Sequence, residues 1–266
     1  MARIDFRTMM ALEPHGPDTF VATGPQYPWG GLYGGQIVAQ SLRAAAMTVA
    51  PEFAVHSLHA YFIRAGDASE PIRLEVDRIR NGRSFVTRRV VARQSIGAIL
   101  NMAASFQIPE EAPDVQTEEM PPVAGPDGLE SETWSPVFER RFLPEDIGLG
   151  RVGAWMRLSE DVGDDPVLNA CALAYVSDDM PTDAVVARHP ARRPRGSNER
   201  TFWNASLDHA IWYHRPLRSQ EWYLHDFRCH ALMNSRGLTI GSVFDRTGNH
   251  VATVSQEVLI RPIRKD

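Results

Sequence analysis

Three pairs of segments recur in the same order at a nearly constant offset, and this recurrence limits the possible folds more than any single motif. HAYFIRAGD (59–67) faces AIWYHRPLR (210–218), RIRNGRSF (78–85) faces ALMNSRGL (231–238), and SIGAILNMAAS (95–105) faces RTGNHVATVSQ (246–256). The separation is about 150 residues each time, as an internal duplication requires. Each copy reads as one long helix with an antiparallel meander. In the first, GQIVAQSLRAAAMTV (35–49) carries Ile37, Val38, Leu42, Ala45, Ala46 and Val49 at the spacing of an amphipathic helix. The runs 56–65, 71–81, 83–94 and 98–108 are β-rich and separated by turn residues. In the second, 151–161 reads as a strand and DPVLNACALAYVSDD (165–179) as a helix, and four β-rich runs follow from 206 to 262. Between the copies, 109–133 is rich in Pro, Gly and acidic residues and reads as an exposed linker. The division expected is a unit at 1–110, a linker at 111–134 and a unit at 135–266. Each unit is an α+β pair of layers.

The first helix opens on Gly34-Gly35, although glycine is the poorest helix former after proline. Two readings stay open. Either the glycines allow close packing of helix against sheet, or they bare backbone N–H groups at Gly34, Gly35 and Gln36 toward something electronegative.

Composition excludes several classes. At 43% hydrophobic and 23% charged residues, the 266-residue chain can bury a sizeable core. A net charge of −5 gives no general attraction to nucleic acid or an anionic membrane. The first residues, MARIDFRTMMALEPHG, lack a secretory apolar block, and no run approaches the roughly 20 apolar residues of a membrane span. Only Cys171 and Cys229 occur, without CxxC spacing, so neither a disulfide framework nor a zinc site is expected, and a cytoplasmic location is.

The segments GGQIVAQSL, VHSLHAYFIRAGD, NGRSFVTRRV, MAASFQ, PDGLESET, SLDHAIWYHRP, NSRG and VSQE, from about residue 30 to the C-terminus, resemble the landmarks of the acyl-CoA thioesterase II (TesB-like) family, in that family's order. The resemblance implies a double hotdog: two tandem units, each a long central helix wrapped by a curved antiparallel sheet. It implies hydrolysis of acyl-CoA to free acid and CoA without metal or organic cofactor, and association into a homo-oligomer. It also implies a water held by an aspartate, a hydroxyl and a glutamine. These correspond to Asp178 in Tyr175-Val176-Ser177-Asp178, Ser206 in SLDH and Gln256 in VSQE. Where the family often has threonine, this chain has Ser206, which keeps the hydroxyl but loses the methyl that stiffens the rotamer.

Periodicity bears on these residues independently. Val167, Leu168, Cys171, Tyr175 and Asp178 share one helical face, so Asp178 is expected to point inward with a raised pKa, and Asp179 has no such reason to be buried. A solvated or capping aspartate is the alternative. Ala252, Val254, Gln256, Val258 and Ile260 share one strand face, which makes Gln256 an amide in an apolar row, either catalytic or satisfied by backbone. Ser206 is expected to share a face with Asp208, Ala210 and Trp212, and the consecutive Asp208 and His209 to face opposite sides and serve structure. The resemblance to paired hotdogs further implies antiparallel central helices, which would bring the N–H groups around Gly35 and Gln36 toward the thioester carbonyl attacked near Asp178.

Other motifs lead elsewhere and are weak. GLGRVG (148–153) satisfies GxGxxG but runs into a strand instead of opening a helix. GxSxG, HExxH and a P-loop are absent. Arg192, Arg193 and Arg195 lie in an arginine-rich loop suited either to the phosphates of CoA or simply to solvent. Two alternatives to a thioesterase are a non-catalytic acyl-CoA-binding hotdog protein and a hotdog enoyl-CoA hydratase. Joint retention of Asp178, Ser206 and Gln256 disfavours the first, and a missing Asp/His arrangement disfavours the second.

Overall fold

The computed structural model describes residues 4–144, 150–193 and 201–263. In chain order the elements are α1 (Phe6–Met10), β1 (Glu13–Pro14), β2 (Thr19–Ala22), α2 (Gly34–Ala46), β3 (Ala54–Phe62), β4 (Ile72–Asn81), β5 (Phe85–Gln94) and β6 (Gly97–Gln107). They continue as β7 (Phe138–Phe142), β8 (Arg151–Leu158), α3 (Pro166–Ser177), α4 (Pro181–Arg188), β9 (Phe202–Ser206), β10 (Asp208–Tyr213), β11 (Tyr223–Met233), β12 (Arg236–Phe244) and β13 (His250–Pro262). The strands form one sheet in the order β1-β2-β4-β5-β6-β3-β10-β13-β12-β11-β8-β7, with β9 also paired to β13.

This order reads outward from the β3–β10 pair as β6, β5, β4 on one side and β13, β12, β11 on the other. The three repeated sequence pairs therefore fall at equivalent places: on β3 and β10, at the β4–β5 and β11–β12 turns, and at the β5–β6 and β12–β13 turns. The central pair is antiparallel, with Ala60 opposite His209 and His59 opposite Ala210. One face of the sheet packs on α2 and α3, which also pack on each other.

The two long helices begin differently. Asp165 caps α3, its carboxylate accepting from the N–H groups of Val167 and Leu168, and Pro166 sits at the first position, where no N–H is needed. No side chain caps α2 at Tyr33. From Leu168 to Ser177 every residue of α3 is buried, because α2 and the sheet enclose it. The apolar stripe that was expected to aim Asp178 inward is thus not a stripe; the helix is buried all round.

Segment 109–133 forms no regular element and is largely exposed. It is nevertheless pinned. Met120, Val123 and Leu129 pack on Leu143, Trp155, Trp222, Leu224 and Phe244, and Trp155 Nε1 donates to Ala124 O at 2.8 Å. No helix among the described residues is long and apolar enough to cross a membrane.

Candidate active site

The last turn of α3, the first turn of α2 and the strands β9, β10 and β13 meet at one buried point. Asp178, the residue at the C-cap of α3, is 7% exposed. Ser206 Oγ donates to Asp178 Oδ1 at 3.2 Å, and Gln256 Nε2 donates to Ser206 Oγ at 2.8 Å. The three residues expected to act together, about 80 residues apart from first to last, thus form one hydrogen-bonded cluster. The alternation expected in the last strand holds: Ala252, Val254, Gln256, Val258 and Ile260 are all buried.

Burial pushes the Asp178 carboxyl up from 3.8 to about 7, against the opposing hydrogen bonds of Ser206, Gln256 and the Gly35 backbone N–H. Asp179, next in the chain, adds repulsion in the same direction as burial. The Gly35 N–H comes from the uncapped start of α2, where the first helical bond is Ile37 N to Tyr33 O at 3.4 Å. A carboxylate from one helix end therefore occupies the electropositive end of another.

The glycines are required by this meeting. A Cβ on Gly34 would lie 2.6 Å from Asp178 Oδ2 and 3.0 Å from the Phe62 ring. A Cβ on Gly35 would lie 2.2 Å from the carbonyl oxygen of Tyr175 and 2.6 Å from the Tyr33 ring. Of the two readings left open, close packing holds, but chiefly against the end of α3 and with only the Phe62 contact on a strand, and the Gly35 N–H also faces a carboxylate. The Gln36 side chain is fully buried, accepting from Tyr27 Oη at 2.6 Å and donating to Gln40 Oε1 at 3.2 Å.

Two sequence expectations need correction, while Asp208 and His209 face opposite sides as expected. Asp179 has a side chain only 5% exposed; it pairs with Arg140 and accepts from Trp134 Nε1 at 2.6 Å. Its partners are about 40 residues away in sequence, and helical periodicity carries no trace of them. Ser206 does not share a continuous strand with Asp208, Ala210 and Trp212. Ser206 pairs with Val258 and Ala210 with Ser255, so this strand advances one residue more than its partner, a β-bulge around Leu207. The bulge turns both Ser206 and His209 toward the site, which plain alternation forbids. His209 is fully buried and meets Gln256 Oε1 through Nδ1 at 2.5 Å and Ser177 Oγ through Nε2 at 2.9 Å. Asp208 faces away, accepting from Glu257 N at 2.6 Å.

Arg192 and Arg193 are exposed after α4, and Arg195 lies outside the described residues. In the GxGxxG-like stretch, Gly148 and Leu149 also lie outside them, and Arg151 onward is β8.

The layered antiparallel sheet and its packed helices are those of a hotdog-fold protein. A solved hotdog protein from Alicyclobacillus acidocaldarius superposes with a TM-score of 0.79 at 20% identity, over 97% of this chain and 98% of that one. The chain belongs to the acyl-CoA thioesterase family: residues 23–107 match its N-terminal domain and 109–260 its C-terminal domain. Acyl-CoA thioesterase 2 of Haemophilus influenzae is 33% identical, the match covering 86% of this chain and 87% of that protein. The crystal structure of the acyl-CoA thioesterase II TesB2 from Mycobacterium marinum has a TM-score of 0.85 and 35% identity, over 98% of each chain.

Proposed function

We propose that this protein hydrolyses acyl-CoA thioesters, with Asp178 as general base and Ser206 and Gln256 as the groups that hold the attacking water. The observation that carries the reading is the carboxylate–hydroxyl–amide cluster at the mutual ends of α2 and α3, where burial pushes the carboxyl up to about 7. A base is most effective when its pKa lies near the working pH, and a buried carboxylate reaches that value where an exposed one would not. Water attacks the thioester carbonyl carbon while its proton passes to Asp178. The developing oxyanion lies at the positive start of α2, near the backbone N–H groups of Gly34, Gly35 and Gln36. Collapse breaks the C–S bond, and the CoA thiolate recovers the proton from Asp178.

In the same reading the chain is a double hotdog, with units at 1–110 and 135–266 joined by 111–134, and the near-mirror strand order about β3 and β10 supports it. Exposed Tyr61 and Trp212 on that central pair support association of copies, and the free thiols of Cys171 and Cys229 suit a reducing cytoplasm. Arg192 and Arg193, exposed after α4, are our candidates for the CoA phosphates, together with Arg195. The test is thiol release from a panel of acyl-CoAs of differing chain length. Release from at least one supports a thioesterase; tight binding of acyl-CoA with no thiol release would make the protein a binding module instead.

A further inference from the structure

A carboxylate can only accept hydrogen bonds, and this fixes the direction of every bond behind Asp178. Ser206 must donate its hydroxyl hydrogen to Oδ1, which leaves the Ser206 lone pairs to accept from Gln256 Nε2. The other end of that amide, Oε1, then faces His209 Nδ1 and requires a hydrogen there. His209 Nε2 is left as an acceptor, and Ser177 Oγ, 2.9 Å from it against 3.5 Å from the Ala174 carbonyl oxygen, is placed to donate to it. Five side chains from α3, β9, β10 and β13 thus form one chain whose donors all point toward the carboxylate.

An amide side chain can present either end. Turned over, Gln256 would face Ser206 with its oxygen, the Ser206 hydroxyl would bond Gln256 instead of Asp178, and the carboxylate would face lone pairs. The carboxylate favours the donor end from one side, and His209, the neighbour on the far side, favours the same orientation through Oε1. We propose that His209 is a positioning residue for the hydrolysis: held by Ser177 as its Nδ1–H tautomer, it locks the Gln256 amide with its donor toward Ser206 and Asp178. The ring is suited to this because burial lowers its pKa to about 4, so it stays neutral and keeps one hydrogen in one place. The groups bearing on Asp178 itself are Asp179 beside it, Tyr33 and the Gly35 N–H from the start of α2, and Ser206 and Gln256. His209 makes no direct bond to Asp178: it touches Gln256 on one side and Ser177, the residue before Asp178, on the other.

The inference rests on Asp178 being the base, and the experiment separates the two. Thiol release against pH is measured for the intact protein, Asp178→Asn, His209→Phe, His209→Asn, Gln256→Ala and the His209→Phe/Gln256→Ala double variant. His209→Phe keeps a ring without nitrogens and should lower kcat about ten- to a hundredfold with KM within about threefold. It should also move the acid limb of the profile to higher pH, since Asp178 loses donors that favour its charged form. His209→Asn, whose amide nitrogen sits where Nδ1 does, should recover most of kcat. With Gln256 already replaced by Ala, His209→Phe should cost less than about threefold more. An equal cost in both backgrounds, or Asn no better than Phe in folded variants, overturns the proposal while leaving the base assignment intact. Full activity in Asp178→Asn overturns the base assignment instead, and the proposal with it. Should His209→Phe not fold, Ser177→Ala replaces it: a raised acid limb is expected, and an unchanged profile overturns the proposal.

Discussion

Replacing Gly34 with alanine adds one methyl group at the closest point between α2 and the carboxylate. That methyl would sit 2.6 Å from Asp178 Oδ2 and 3.0 Å from the Phe62 ring. Ordinary contact needs about 1 Å more on the carboxylate side, and Asp178 cannot swing away because Ser206 and the Gly35 N–H already hold it. A displacement of about 1 Å in a reacting group costs on the order of a hundredfold in rate. The stability cost is smaller: overpacking of about 1–3 kcal/mol, offset by up to about 1 kcal/mol of better helix propensity. Gly35→Ala is different, because its methyl would meet the backbone carbonyl of Tyr175 at 2.2 Å, and backbone yields less than a side chain. It should destabilise by roughly 2–3 kcal/mol and lose activity too. Thiol release and urea unfolding, measured on both variants, give a clear contrast: Gly34→Ala loses activity out of proportion to stability, and Gly35→Ala loses both. Unaltered kcat/KM in a folded Gly34→Ala variant would refute the idea that the glycines exist to bring α2 against Asp178.

Three further outcomes follow from the site. The folded-state pKa of Asp178, about 7, lies above its ordinary 3.8, so the stability this proton gives is full below about pH 4 and is lost as pH rises through 7. Asp178→Asn, which stays neutral, should match the parent in unfolding experiments near pH 4 and exceed it by roughly 1–4 kcal/mol at pH 8. Ser206→Thr keeps the hydroxyl donated to Asp178 and should retain thiol release within about threefold, while Ser206→Ala should lose at least about tenfold. Arg140→Met leaves the buried Asp179 charge without its cation, held by the Trp134 Nε1 donor; urea unfolding should register a loss of about 3–5 kcal/mol, partly recovered in the Arg140→Met/Asp179→Asn double variant.

What could be read in the sequence was whatever depends on local period or direct repetition. The β13 alternation places Gln256 inside because a continuous strand obeys period two, and the repeated segments fall on equivalent hairpins because like sequences make like turns. The glycine pair raised the right question, but its answer lay at Tyr175 and Asp178, across a helix contact that no local pattern encodes. His209 was hidden by one inserted residue: the bulge near Leu207 inverts the face of everything after it. β7 escaped because Glu139, Arg140 and Arg141 interrupt its apolar ends, and those polar residues make the Arg140 pair that buries Asp179. Asp178 was placed inward for an incomplete reason, since α3 has no exposed face to contrast with.

The central claim is that Asp178 takes the proton of the attacking water, and the pH dependence of thiol release from acyl-CoA in the parent and in Asp178→Asn tests it most directly. The parent should show kcat/KM rising with pH through a limb near 7. The folded Asp178→Asn variant should lose that limb and fall by about 10²–10⁴-fold while still binding acyl-CoA. Activity within about threefold of the parent, with the limb unmoved, would contradict it.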